Sequence, residues 1–250
     1  KNSNCVVVLS EGSVNYVKER GANNIWWLPN GPDLSLFKPS YLKSNLNSKI
    51  ANKRPFKIIY AGAHGPANGL DNVIEAARLI QNKPIELTFI GDGSEKNKII
   101  KKSLDYSLKN IKFMKPVSKN KIPSLLSDYD AILISLKKLN LFRYGISPNK
   151  LYDAYALAMP VITTIPGIIN DEVEKYNLGT TAEAENPVSL SNAIIKIANK
   201  SYRERLEMGM RGRKLSETIY SRQLINKKFS YILDSLIEDW IKKIPKNYLF

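Results

Sequence analysis

Between Phe56 and Thr181, short runs of apolar residues return again and again, and the stretches between them are polar loops, often glycine-rich, and segments with helical periodicity. Phe56 to Ala61, Ile85 to Ile90, Ile111 to Met114, Ala131 to Ser135 and Val161 to Thr164 read as strands buried on both faces. Helices are expected over Leu70 to Ile80, 95–108, Lys121 to Ser127 led by Ser118, and 148–158, with a further small strand near Gly179-Thr180-Thr181. Such alternation implies an α/β fold, with a Rossmann-like, mainly parallel sheet and helices on both faces. Ligands of such sheets sit at the carboxyl ends of the strands. The loops 62–69, 91–94, 115–118 and 136–148 are therefore expected to converge on one crevice.

On either side the pattern changes. Residues 1–33 read as a small β-α-β piece, with strands at Val6 to Leu9 and Ile25 to Leu28, a helix over Ser13 to Arg20 closed by Gly21, and a dense turn at Pro29-Asn30-Gly31-Pro32. Cys5 is read as a plain buried thiol in that apolar run. Residues 34–54 carry no sustained periodicity and read as a linker. The unit 55–220 holds the sheet and ends in two helices, Pro187 to Lys200 and Tyr202 to Lys214. A last helix over Ser221 to Lys243 carries Leu224, Ile225, Phe229, Ile232, Leu233, Leu236, Ile237, Trp240 and Ile241 at helical spacing. That stripe calls for burial, against the body of the protein, a membrane surface or a further domain.

A net charge of +15 over 250 residues points to an anionic partner. The basic residues are spread along the chain without zinc-finger, basic-heptad or ribonucleoprotein motifs, so nucleic acid is the weakest candidate, behind a membrane face or a phosphorylated substrate. One cysteine and one histidine make a metal site improbable, and no cofactor is expected. No apolar run reaches the ~20 residues that span a bilayer. The expected location is the cytoplasm, with peripheral contact at the inner face of the membrane.

The stretch 141–164 concentrates the chemistry. Ser147 is expected to cap a helix with Pro148 in its first turn and Asn149 and Lys150 following. Open amide donors and a partial positive charge at that start, together with Arg143 and Lys150, suit a phosphate. Gly62, Gly65 and Gly69 allow close backbone approach in the first loop, although such glycine clusters are also turns without ligands. Asp153, one turn into the helix, serves either as a partner for ribose hydroxyls or as a solvated carboxylate. His64 is read as a phosphate or sugar contact or as incidental. No nucleophile elbow, Walker sequence or flanking carboxylate pair is present, which argues against self-contained hydrolysis. What remains is donor binding, with a departing diphosphate stabilised by Arg143 and Lys150.

The succession Leu28-Pro29-Asn30-Gly31-Pro32-Asp33, Tyr60-Ala61-Gly62, Gly69-Leu70-Asp71, Phe89-Ile90-Gly91-Asp92-Gly93, Ser147-Pro148-Asn149-Lys150-Leu151-Tyr152-Asp153 and Ala158-Met159-Pro160-Val161-Ile162 resembles the carboxyl half of a GT-B glycosyltransferase of family 4. The likeness is nearest to bacterial enzymes that add amino sugars of the N-acetyl-L-fucosamine type to lipid-linked polysaccharide precursors. It implies a retaining, metal-independent transfer from a UDP-sugar, with the acceptor held by an amino-terminal domain or a partner chain. It also implies donor contacts at Gly62, His64, Gly65, Asn68, Asp92, Gly93, Val117, Tyr144, Ser147, Pro148, Asn149 and Asp153. Asp153 takes the place of the family's ribose-binding acid and Gly145 that of the acid facing the donor sugar. Ala63 and Asn68 stand where phosphate-binding charges are usual, which passes that work to Arg143 and Lys150. A non-catalytic nucleotide-sugar or membrane-associated module is the alternative.

Overall fold

The computed structural model describes residues 3–39 and 54–243. A two-stranded parallel sheet comes first: β1 (Val6–Val8), α1 (Ser13–Lys18) and β2 (Ile25–Trp27). The larger unit follows as β3 (Phe56–Ala61), α2 (Leu70–Leu79), β4 (Ile85–Ile90), α3 (Lys96–Asp105), β5 (Ile111–Met114), α4 (Ile122–Leu126), β6 (Ala131–Ile134), α5 (Asn149–Ala156), β7 (Val161–Thr163), α6 (Ile168–Lys175) and β8 (Gly179–Thr181). Three helices close the described chain: α7 (Pro187–Ala198), α8 (Tyr202–Glu217) and α9 (Arg222–Lys243).

The six strands of the larger unit run parallel in the order β5-β4-β3-β6-β7-β8. Successive residues of each strand feed opposite layers. Ile58, Tyr60, Leu87 and Phe89 pack under α2, α3 and α7, while Ile59, Ile90, Ile132 and Ile134 pack under α4, α5, α6 and α8. Both faces are covered, as the unbroken apolar runs require. β3 and β6 are neighbours although β4 and β5 lie between them in sequence, so the chain reverses its direction of winding there. Carboxyl-end loops diverge at such a point and leave a crevice.

Several expectations need correction. The segment between β7 and β8 forms α6, whose Ile169 and Val173 are buried and which the sequence pattern hid behind Asn170-Asp171-Glu172 and the Gly167 break. Helix α3 stops at Asp105, because Ser107 takes a left-handed conformation with φ 52°. Cys5 is half-buried, not buried, since it precedes a strand in a sheet with only one neighbour. The apolar stripe of α9 is largely exposed. Ile232 is buried, but Leu224, Phe229, Leu233, Ile237, Trp240 and Ile241 all face out. The helix lies along β2, where Lys228 donates to the Trp27 carbonyl at 3.3 Å and Tyr231 meets Trp26 edge-on, and that contact covers only part of its circumference. Among the described residues, no helix is long and apolar enough to cross a membrane. Of the expected linker 34–54, residues 40–53 lie outside the described residues, while Phe37 is buried in the second layer and its carbonyl accepts from Arg213 at 3.0 Å.

Candidate functional site

Helix α5 begins at Asn149, and no side chain caps it. Pro148 holds the capping position in an extended conformation, φ −80° and ψ 114°. Ser147 is not the cap, because its hydroxyl is engaged from outside the helix. It accepts from the Asn30 backbone N–H at 3.0 Å and lies 3.0 Å from the Tyr152 hydroxyl, while the Ser147 carbonyl accepts from Asn30 Nδ2 at 3.1 Å. The Pro-Asn-Gly turn after β2 thus ties the small sheet to the start of α5.

A cavity of about 400 Å³ opens at the reversal between β3 and β6. Gly62 and Ala63 after β3, Gly91 and Asp92 after β4, Pro116 and Val117 after β5, and Lys150 and Asp153 on α5 contribute to its wall. Its floor is aliphatic, made by Ile90, Ile132, Ile122 and Leu126. Lys150 reaches over the Tyr60 ring with Nζ 4.5 Å from the centroid and donates to the Tyr60 hydroxyl at 3.3 Å. That hydroxyl donates in turn to the Ala63 carbonyl at 2.6 Å, so the lysine and the first loop share one anchor. Gly62 makes room for this. A Cβ there would stand 2.8 Å from Lys150 Nζ, and φ +150° disfavours any side chain.

Electrostatically the wall is unbalanced. Among the described residues no carboxylate lies within ion-pair distance of Lys150, and burial lowers its ammonium pKa from 10.5 to about 8. Asp153, half-buried one turn on, is pushed up to about 6 by burial, against the pull of Lys119 and Arg222. A cation and a carboxylate without ion-pair partners among the described residues, both partly stripped of water beside an apolar floor, suit a ligand with an anionic part, a hydroxylated part and a flat apolar part. Asp92 is more exposed, and its carboxylate accepts from the Gly93 N–H at 2.9 Å.

Of the residues singled out from sequence, Gly62, Asp92, Val117, Lys150 and Asp153 come together on this wall. Others serve nearby structure. His64 is fully buried, with its ring 5.8 Å from that of Tyr60 and 6.3 Å from that of Phe89. Desolvation lowers its pKa, and it faces this apolar packing instead of the cavity. Its backbone does the useful work, accepting from Glu95 N–H and donating to the Asp92 carbonyl at 2.7 Å, which fixes the first two loops against each other. Asn68 donates weakly to the Gly65 carbonyl at 3.4 Å inside the first loop, and Gly93 packs on the His64 backbone.

Among the described residues, none of the loop 136–148 lines this cavity. Its start packs on the first loop, where the Lys137 N–H donates to the Ala67 carbonyl at 2.9 Å, and its end packs toward the small sheet. The Tyr144 ring lies 4.3 Å from Tyr16, and the Tyr144 carbonyl accepts from Ser10 and Ser13. Gly145 has φ +80°, and a Cβ there would fall 2.1 Å from Ser10 Oγ, so an acidic side chain at this position would be strained and would displace the Ser10 hydroxyl. Asn149 is exposed at the first turn of α5. Arg143 lies within the short turn Asn140–Tyr144, and its side chain falls outside the described residues. The apolar floor and Tyr60 escaped the sequence reading. Ile90 and Ile132 are the layer-facing residues near strand ends, so strand alternation continued to the last residue was the signal available.

The glycosyl transferases group 1 family model matches residues 43–215. The putative colanic acid biosynthesis glycosyl transferase WcaI of Escherichia coli K12 is 27% identical over 190 residues, covering 67% of this chain and 45% of that protein. The probable glycosyltransferase WbjE of Pseudomonas aeruginosa is 22% identical over 189 residues, covering 75% and 46%. The chain thus spans about half the length of these relatives. Among solved structures, sucrose-phosphate synthase of Thermosynechococcus elongatus superposes with TM-score 0.76 at 18% identity, covering 95% of this chain and 59% of that one. Anabaena HepE in complex with UDP and glucose gives 0.73 at 18%, covering 93% and 63%. The fold is that of GT-B glycosyltransferases, and the chain belongs to the group 1 glycosyl transferases.

Proposed function

We propose that the chain binds the donor of a retaining glycosyltransferase, a UDP-sugar, with the diphosphate on Lys150 and the α5 start, the ribose on Asp153 and the base over the aliphatic floor. The observation that carries this reading is Lys150, a half-buried ammonium on a cavity wall with a neutral phenol as its only described hydrogen-bond partner. A diphosphate supplies the missing counter-charge, and the pairing strengthens as negative charge builds on the leaving group when the sugar–phosphate bond breaks. Transfer forms the new bond from the sugar to an acceptor oxygen and releases UDP, with no metal or cofactor called for. UDP in the HepE complex supports a uridine nucleotide. The colanic acid biosynthesis named for WcaI supports a polysaccharide precursor as acceptor, and the sequence resemblance supports an N-acetylated amino sugar. An acceptor-binding domain or partner chain would cover the outward apolar residues of β1, the residue after it and α9, including Val7, Leu9, Phe229 and Trp240.

The test is calorimetric titration with UDP, GDP, ADP and dTDP. UDP is expected to bind best, and Lys150→Ala to weaken it at least about tenfold, the worth of one charge-assisted hydrogen bond. Equal affinity of the variant would overturn the role of Lys150, and nucleotide-blind behaviour would favour the membrane-associated module.

A further inference from the structure

We propose that a second pocket, at the amino-terminal ends of β3, β4 and β6 and walled by the corner between α7 and α8, binds a phosphomonoester through Arg205, Lys200 and Lys83. It has a volume of about 500 Å³ and lies at the opposite pole of the sheet from the nucleotide cavity. The proposal is independent of the donor reading.

Arg205 carries the argument. It is buried, 8% exposed, with its guanidinium 5.0 Å above the Phe56 ring. Its direct hydrogen bond among the described residues goes to a neutral group, the Lys200 carbonyl. It also forms a long ion pair with Asp130, at 4.0 Å, but that carboxylate is shared and mostly committed elsewhere. Asp130 receives both prongs of Arg54, at 2.7 and 3.0 Å, and the Lys57 N–H at 2.8 Å. The other acid on the wall, Glu204, is also taken, by Ser201 in a capping box and by Lys200 at 3.2 Å. Lys83 stands exposed at the mouth, and no ion pair involves it among the described residues. The pocket therefore holds four cations against two carboxylates that are both engaged, with a desolvated guanidinium at its base.

A dianionic phosphate matches that excess of charge and the donor geometry of an arginine fork. The pocket is larger than a bare phosphate, which points to a phosphate carried on a small polar body. A free sugar phosphate and a phospholipid headgroup both have that chemistry, and the experiment separates them.

Calorimetry with inorganic phosphate and with a hexose monophosphate, at matched ionic strength, is run on the full chain carrying Lys150→Ala so that the other pole does not contribute. Vesicles of phosphatidic acid, against phosphatidylcholine alone, are tested by co-sedimentation. Binding in either arm that falls about tenfold with Lys83→Glu, a surface change that leaves the core intact, and falls with Arg205→Lys, which keeps the charge but loses the fork, supports the site and names its source. Binding unmoved by both variants, or none in either arm, overturns it.

Discussion

The two poles of the six-stranded sheet hold charged groups in opposite states. At the amino-terminal pole the carboxylates are matched: Asp130 takes the Arg54 fork and a backbone N–H, and Glu204 closes a capping box and meets Lys200. At the carboxyl pole Lys150 and Asp153 stand half-buried with no direct carboxylate or cation partner among the described residues, and burial moves both toward their neutral forms. The first arrangement ties β3 to β6 and α7 to α8, and removing a partner should cost stability. The second spends stability, which makes sense where a ligand completes the electrostatics. Arg205 stands between the two states: it is buried like the groups of the other pole, yet it shares Asp130 with Arg54 at the long distance of 4.0 Å.

The contrast can be broken most forcefully at Asp130. Replacement by Ala strands Arg54 and the Lys57 N–H together, and a loss of about 3 kcal/mol in denaturant unfolding is expected. A change below about 1 kcal/mol would mean that this pole is no more structural than the other. Between the poles in size is Ser147→Ala, which removes the acceptor of the Asn30 N–H and the Tyr152 contact. About 1 kcal/mol is expected, read by chemical denaturation, together with weaker UDP binding as the start of α5 loosens.

The smallest effects sharpen the other side. Lys150→Met should leave the fold as stable as before or slightly more stable while binding suffers, a split that no purely structural lysine would give. Acid and base titration of stability adds the signs. Asp153 has its folded pKa raised from 3.8 to about 6, so its contribution is present below about pH 4 and is lost as pH rises through 6. Lys150 has its folded pKa lowered from 10.5 to about 8, so its contribution is present above about pH 10.5 and is lost as pH falls through 8. The difference between the wild-type chain and Asp153→Asn should therefore vary between pH 4 and 6, and that with Lys150→Met between pH 8 and 10.5. Flat differences would remove these groups from a desolvated wall.

The sequence was most legible where one force dominates. β3, β4 and β5 begin and end at the expected residues; for β3 and β4 the cause is an apolar run buried on both faces, which leaves no alternative placement, while β5 lies at the sheet edge with Lys112 and Met114 exposed. It was least legible where the partner lies far along the chain. Ser147 has the chemistry of a helix cap, yet Asn30 claims its hydroxyl, and no local pattern records that competition. His64 has the chemistry of a phosphate ligand, yet the aromatic rings of two strands enclose it. Asp153 and Lys150 were found because spacing on one helix is a local property, whereas the floor under them depends on which strands become neighbours. The exposure of the α9 stripe likewise depends on how little of it β2 covers.

The strand order has a consequence for how the protein acquires its site. The glycine loop and the aliphatic residue Ile90 belong to the half built from β3, β4 and β5, while Ile132 and α5 with its lysine belong to the half built from β6, β7 and β8. Each half can form its own strands through contacts near in sequence, but the seam between β3 and β6 closes a loop of some seventy residues, the slow kind of contact in folding. The cavity straddles that seam. Ligand competence is therefore a late property of the folding chain, reached when the two halves dock and not when their secondary structure appears.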